Sequence, residues 1–333
     1  MGDDGSASGL RCEEDADLVV DIGGTKVLAA LVRDGAIIDQ SRLDSGGLAP
    51  DALASRITSV ALGLSRAQGR RIRSALVAVP GKIDREAGVV VRAANLPFRD
   101  FPLGAVLQEG LGGVAVSLEH DANCGAVGEA WALARGPVPN LVYVTLSTGI
   151  GMGALVRGAL VEGAHGYAGE LGHVTVVPGG RPCGCGAEGC LEAYASGTAI
   201  ASLGRELLRS STGTVLRGAL PSSVTAKDVV AGAEAGDPGC LDIIDNACAL
   251  VQGAVRMLQL VLDPEVVVMG GGLMSNEFFA ERLLAPFPGD GSSAGTAPVV
   301  VKSSYFGAES VVIGSMHLLT DARAGAASKI GAA

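Results

Sequence analysis

Short apolar runs, each closed by glycine, alternate along this chain with longer stretches of helical spacing. Residues 18–22 are apolar except for Asp21 and end at Gly23-Gly24. That is the pattern of a buried strand entering a tight turn. Residues 27–32 and 36–41 predict two further strands, with Asp34-Gly35 as the hairpin turn between them. Leu53, Ile57, Val60 and Leu64 recur at helical spacing and predict a helix over residues 51–68. Residues 75–79 predict a buried strand closed by Pro80-Gly81, and residues 114–118 another. An Ala-rich helix is predicted at 122–133. The strand predicted at 141–146 ends in Ser147-Thr148-Gly149, and a partner strand is expected at 152–156.

The second half is similar in plan. Residues 163–189 read as loop, 191–208 as mostly helix, and 210–223 as a Ser/Thr/Gly/Pro connector. A long apolar-periodic helix is expected at 240–262. A strand at 266–269 ends in Gly270-Gly271-Gly272. Strand, glycine turn and helix thus recur in both halves, which predicts an α/β protein with a duplicated nucleotide-binding core. The division expected is a lead-in at 1–17, a first α/β domain at 18–122 and a second at 123–314, with a hinge near 120–140. A terminal helix at 315–330 packs back on the first domain, and the tail from 324 onward is expected to fray.

At 333 residues the chain is too long for one compact core. Aromatics are only 3% of it, so the interior must be built from Ala, Val, Leu and Ile. Gly reaches 50 residues without any Gly-x-x repeat, which puts glycine in turns where backbone approaches a ligand. The net charge of −10 argues against a nucleic-acid partner. The basic patch at Arg70, Arg71 and Arg73 reads as a solvated helix end. No apolar stretch approaches the ~18 residues a membrane span needs, and the acidic start lacks the form of a signal peptide. The expectation is a cytoplasmic protein with reduced thiols and no membrane partner.

His173, Cys183, Cys185 and Cys190 form H-x9-C-x-C-x4-C, with Gly184, Gly186 and Gly189 between the ligands. Four such ligands suit a tetrahedral, structural Zn²⁺. Cys12, Cys124, Cys240 and Cys248 are isolated and read as tail or core cysteines.

Asp21-Ile22-Gly23-Gly24-Thr25-Lys26 places an acid at a strand end before two glycines. The carboxylate suits Mg²⁺, and the glycine N–H groups, Thr25 and Lys26 suit phosphate. A simple turn is the competing reading. Ser147 to Gly153 is a second glycine-rich turn, without the GK[ST] ending of a Walker A loop. Gly270-Gly271-Gly272 is a third, suited to adenine and ribose. Together the three fit a nucleotide cleft better than any one alone. Glu119-His120-Asp121-Ala122-Asn123 lies between a strand and a helix. Asp121 is either a base that accepts the proton of an attacking hydroxyl or a cap for the helix that follows. Glu170, His173 and Glu192 add groups suited to vicinal sugar hydroxyls. If one His173 nitrogen binds zinc, its other nitrogen is free to face a substrate.

The segments DIGGTK, PGKID, NLPFRDFPL, EHDAN, LSTGIGMG, EGAHGYAGELGH, CGCGAEGCLE and VVVMGGGL closely resemble the ROK family of sugar kinases, repressors and related proteins. The likeness to bacterial glucokinase-like members runs over residues 18–316. It implies an actin-like ATPase (ribonuclease H-like) fold, with two α/β domains closing around sugar and ATP. It also implies ATP-dependent phosphorylation of a hexose at the 6-hydroxyl, with Asp121 as base. Gly81, Asn95, His120, Glu170, His173 and Glu192 would then contact the sugar. Asp21, Gly23, Gly24, Thr25, Lys26, Thr148, Gly149 and Gly271 would lie near Mg-ATP. Homodimers or homotetramers are the implied assembly.

One position departs from the family pattern: His120 stands where Asn is usual. Glucose is the leading substrate; an N-acetylhexosamine, mannose, fructose or a cyclitol are the alternatives. A sugar-responsive repressor is the rival class. It would need a DNA-binding domain that the acidic residues 1–17 do not supply.

Overall fold

The computed structural model describes residues 15–93, 96–133, 138–210, 214–216, 220–285 and 299–330. Cys12, Asn95 and most of the lead-in lie outside them. The chain opens with β1 (Asp15–Ile22), β2 (Lys26–Arg33) and β3 (Ala36–Asp44), then α1 (Pro50–Gln68) and β4 (Arg71–Val79). A small three-stranded sheet follows, β5 (Lys82–Asp84), β6 (Val89–Arg92) and β7 (Arg99–Phe101). Then come α2 (Leu103–Gly110), β8 (Ala115–His120) and α3 (Asp121–Ala132). The second half contains β9 (Leu141–Leu146), β10 (Ile150–Val156), β11 (Ala159–Leu160), α4 (Glu192–Ala195), α5 (Gly197–Ser210), α6 (Ala226–Glu234) and α7 (Pro238–Leu262). It ends with β12 (Val266–Gly270), α8 (Glu277–Leu284), β13 (Val300–Ser303) and α9 (Ser310–Ile330).

The duplication expected from the sequence is present in the strand order. One five-stranded sheet runs β3-β2-β1-β4-β8 and the other β11-β10-β9-β12-β13. In each, the first three strands of the half pair antiparallel and the two later strands add in parallel. The central strands β1 and β9 are therefore topological equivalents. Each delivers its end to the cleft between the sheets, where ligands of such α/β folds bind.

Side-chain alternation along β1 fixes what that end presents. Leu18, Val20 and Ile22 enter the core beneath α1 and α2. Val19 faces the other way, into a core with Cys124 of α3 and Val312, Met316 and Leu319 of α9. Asp21, two residues beyond Val19, takes that second face. The other side of α3 packs on the second sheet, where Ala122 and Ala126 meet Leu141, Tyr143, Val266 and Val268. One helix is thus the shared layer between the two sheets.

Several boundaries differ from expectation for identifiable reasons. β1 starts at Asp15, before the apolar run, because Asp15 and Asp17 pair with Arg71 and Arg73 on β4. The same pairs correct the basic patch: α1 ends at Gln68, and Arg71 and Arg73 belong to a strand. The helix expected over 191–208 breaks at Ser196, which is extended, because the Gly197 N–H donates to the Ser147 carbonyl (2.7 Å). The break seats the start of α5 on the second glycine turn. α9 begins at Ser310, earlier than 315, and runs to Ile330. Among the described residues, no helix is long and apolar enough to cross a membrane.

Candidate active site

A cleft of ≈ 560 Å³ opens between the two sheets. Asp21, at the end of β1, and Asp121, the first residue of α3, both line it. His120, not Asp121, occupies the N-cap of α3, and no side chain caps that end. Asp121 instead stands at the first helical position, with Oδ1 accepting from the Ala122 N–H (2.8 Å). The positive end of the helix favours a carboxylate there. Burial pushes the Asp21 carboxyl up to about 7, and the nearby charge of Asp121 adds to the shift. Two acids so arranged, both partly exposed to the cleft, are a donor set suited to a divalent cation.

The DIGGT turn and the two later glycine turns line the same cleft. Gly23, Gly24, Thr25 and Lys26 form one wall. Thr148, Gly149 and Gly271 form part of another. Gly271 has φ +91°, and a side chain there would run into the Leu146 backbone. The glycines of the second turn divide into two kinds. Gly149 belongs to the turn, but Gly151 and Gly153 sit within β10. A methyl group on Gly153 would strike the Ala122 carbonyl. Its bareness lets α3 lie against the sheet and does nothing for phosphate.

Gly81, His120, Glu170, His173 and Glu192 line the same cleft. Glu192 is fixed by the Ile150 N–H, which donates to its Oε2 (2.9 Å). His120 Nδ1 lies 3.5 Å from Asp121 Oδ1. The ring of His173 faces two ways: Nε2 is 3.7 Å from Glu170 Oε2, while Nδ1 is 3.6 Å from Cys183 Sγ. Asn95 lies outside the described residues.

Behind His173 the four predicted ligand atoms converge, all within 4.8 Å of one another. Cys185 Sγ and Cys190 Sγ are 3.7 Å apart, far beyond a disulfide. A tetrahedron around Zn²⁺ with Zn–S of about 2.3 Å has edges of about 3.8 Å. The donor set and spacing therefore fit a zinc ion. Cys124, Cys240 and Cys248 are buried core residues, as expected.

Some groups escaped the sequence reading. Glu119 is buried, and its carboxylate accepts from Arg85, the Asn123 amide and the His120 N–H. This network fixes the backbone on both sides of Asp121 and ties it to the β5–β6 hairpin. Lys82 of that hairpin sits 4.3 Å over the Tyr167 ring, and Arg92 donates to the Gly184 carbonyl (3.0 Å). The β5–β6 hairpin therefore touches both the Tyr167 segment and the zinc loop. Segment 303–311 also lines the cleft, through Ser303, Ser304, Gly307, Ala308 and Val311. No glycine-turn signal marked it.

The ROK family model matches residues 18–322, nearly the whole chain. The chain belongs to the ROK family. It is 36% identical over 265 residues to a glucokinase of Halalkalibacterium halodurans, spanning 76% of this chain and 79% of that relative. A ROK glucokinase of Streptomyces griseus, solved with glucose and AMPPNP, superposes with a TM-score of 0.78 at 26% identity, covering 91% of this chain and 98% of that one. A xylose repressor of Caldicellulosiruptor bescii is 31% identical over 209 residues, spanning 62% of this chain but only 52% of the repressor. The fold is the actin-like ATPase fold that the sequence resemblance implied.

Proposed function

We propose that this ROK protein is an ATP-dependent sugar kinase that phosphorylates glucose at its 6-hydroxyl. The observation that carries the reading is the placement of Asp21 and Asp121 together. They line one cleft together with a group of sugar-suited side chains and three glycine turns. The glucokinase relative and the glucose and AMPPNP complex support the same activity.

In this reading Asp121 accepts the proton of the sugar hydroxyl as its oxygen bonds to the γ-phosphorus. The bond from that phosphorus to the β–γ bridging oxygen breaks, and ADP leaves. Glu170, His173 and Glu192 orient the sugar by its hydroxyls, with Gly81 and His120 completing the pocket; Asn95 is a further sugar contact that the family resemblance implies. Gly23, Gly24, Thr25, Lys26, Thr148, Gly149 and Gly271 hold the phosphates and nucleoside. Asp21 holds Mg²⁺, which when bound neutralises charge on the phosphates. Positioning carries most of such catalysis, so the network from Arg85 to Glu119 matters as much as the base.

The zinc reading follows from the same geometry. A structural ion on His173, Cys183, Cys185 and Cys190 fixes the His173 ring and leaves Nε2 for the substrate. Residues 18–122 and 123–314 are read as two lobes that close about the cleft, with α9 joined to the first. A cytoplasmic enzyme assembled as a dimer or tetramer completes the proposal.

The test is ADP release with glucose, mannose, fructose, N-acetylhexosamines and cyclitols. Glucose is expected to give the highest kcat/KM. Turnover with none of them overturns the reading. A preference for another sugar relocates specificity to His120, the position that departs from the family pattern.

A further inference from the structure

Resting on the kinase reading, we infer that Glu129 is a positioning residue that holds the nucleotide end of the cleft in register with Asp121. Glu129 is 1% exposed and does not line the cleft. Its carboxylate nevertheless takes four donors from one segment. Oε1 accepts from the Ser304 hydroxyl (2.5 Å), the Ser310 hydroxyl (2.6 Å) and the Phe306 N–H (3.3 Å). Oε2 accepts from the Tyr305 N–H (2.9 Å). The same segment supplies Ser303, Ser304, Gly307, Ala308 and Val311 to the cleft wall, and its Ser304 N–H donates to the Met269 carbonyl (2.8 Å) just before the third glycine turn.

A buried carboxylate is a costly way to fill space. Apolar residues of similar volume often stabilise a fold as well or better. What a carboxylate adds is geometry: it offers only acceptors, and here every partner donates. The attachment point is equally specific. Asp121 and Glu129 lie on the same helix, two turns apart, so about 12 Å of rigid rod separates the base from the clamp. Gly128 beside the clamp lets the start of α9 touch α3, because a methyl there would strike the Ser310 carbonyl. Gly314 does the same against the Cys124 carbonyl. The wall of the nucleotide end and the base are therefore carried on one locked helix pair.

Releasing the clamp leaves both reacting ends present and frees the wall to wander. Nucleotide binding must then order the segment, and its apparent affinity falls by the fraction of time the wall is in place.

The chain reports on this directly. Its single tryptophan, Trp131, is half-exposed and stacks on Phe306 at 6.3 Å between centroids. ADP titrations followed by Trp131 fluorescence read the segment without turnover. Glu129→Gln is expected to weaken ADP binding and raise the ATP KM by about tenfold, leaving the glucose KM within about twofold. Ser304→Ala with Ser310→Ala keeps the carboxylate and its two backbone donors. That variant should shift ADP binding in the same direction by about threefold, and it carries the test if Glu129→Gln does not fold.

Unchanged ADP affinity in a folded variant overturns the inference. So does a parallel rise of both KM values, which marks a merely structural role. A wild-type Trp131 signal indifferent to ADP overturns it too. Absence of sugar phosphorylation by the wild type instead sinks the kinase reading, while the ADP titration still judges the clamp.

Discussion

At the proposed sugar end of the cleft, Glu170, His173 and Glu192 present side chains. At the proposed nucleotide end, Gly23, Gly24, Gly149 and Gly271 present bare backbone. The first end is polar and supported: His173 is backed by the cysteine cluster, Glu192 by the Ile150 N–H, and Asp121 by the Glu119 network. The second end depends on the absence of side chains, with its far wall held by Glu129. The two ends should therefore fail differently. Losing a side chain cripples the first, whereas the second is also crippled by gaining one at a glycine.

The largest of the effects that sharpen this contrast is expected at the cysteine cluster. Elemental analysis should find about one zinc per chain, and Cys183→Ser should lose it. The glucose KM should rise 10- to 100-fold, roughly the penalty of disturbing a metal's supporting shell, while the ATP KM stays nearly constant. Metal-free protein with a normal glucose KM refutes the assignment.

Next comes Gly271→Ala. It forces a side chain into a φ of +91° and against the Leu146 backbone. A loss of about 1–3 kcal/mol in denaturant unfolding is expected, with the ATP KM raised more than the glucose KM. Equal change in both breaks the comparison.

The smallest effect lies outside the cleft and serves as its control. Asp237 caps α7, accepting from the Cys240 N–H (3.0 Å) and the Val215 N–H (2.7 Å). Burial opposes its ionisation, yet these backbone donors more than offset it and hold the carboxyl below its ordinary value. Asp237→Ala should cost about 1 kcal/mol and move neither KM. Because the folded pKa is depressed, the carboxylate's stabilisation is complete above about pH 4, the unfolded value. It disappears as the pH falls through the lower folded one. The difference between wild type and variant should shrink in that acid window, as chemical denaturation across pH will show.

The sequence patterns located these two ends unequally. Glycine turns after apolar runs are local signals, so Gly23, Gly24, Gly149 and Gly271 were readable as cleft backbone. Gly153 falls in the strand expected at 152–156, but its purpose, the close packing of α3 on β10, was not legible locally. The ligand cluster was readable because its spacing is short. The Arg85–Glu119 pair and the Glu129 clamp were not, since their partners are 34 and up to 181 residues away in sequence. No local pattern encodes such a pairing. The helix expected over 191–208 failed for a related reason: a distant carbonyl, that of Ser147, claims the Gly197 N–H.

The central claim is that Asp121 is the base rather than a helix cap, and Asp121→Asn tests it most directly. Glucose phosphorylation by the purified variant should fall about a thousandfold in kcat, the range for a lost general base. Glucose and ADP binding at equilibrium should remain within about twofold. A variant that turns over glucose at the wild-type rate contradicts the account.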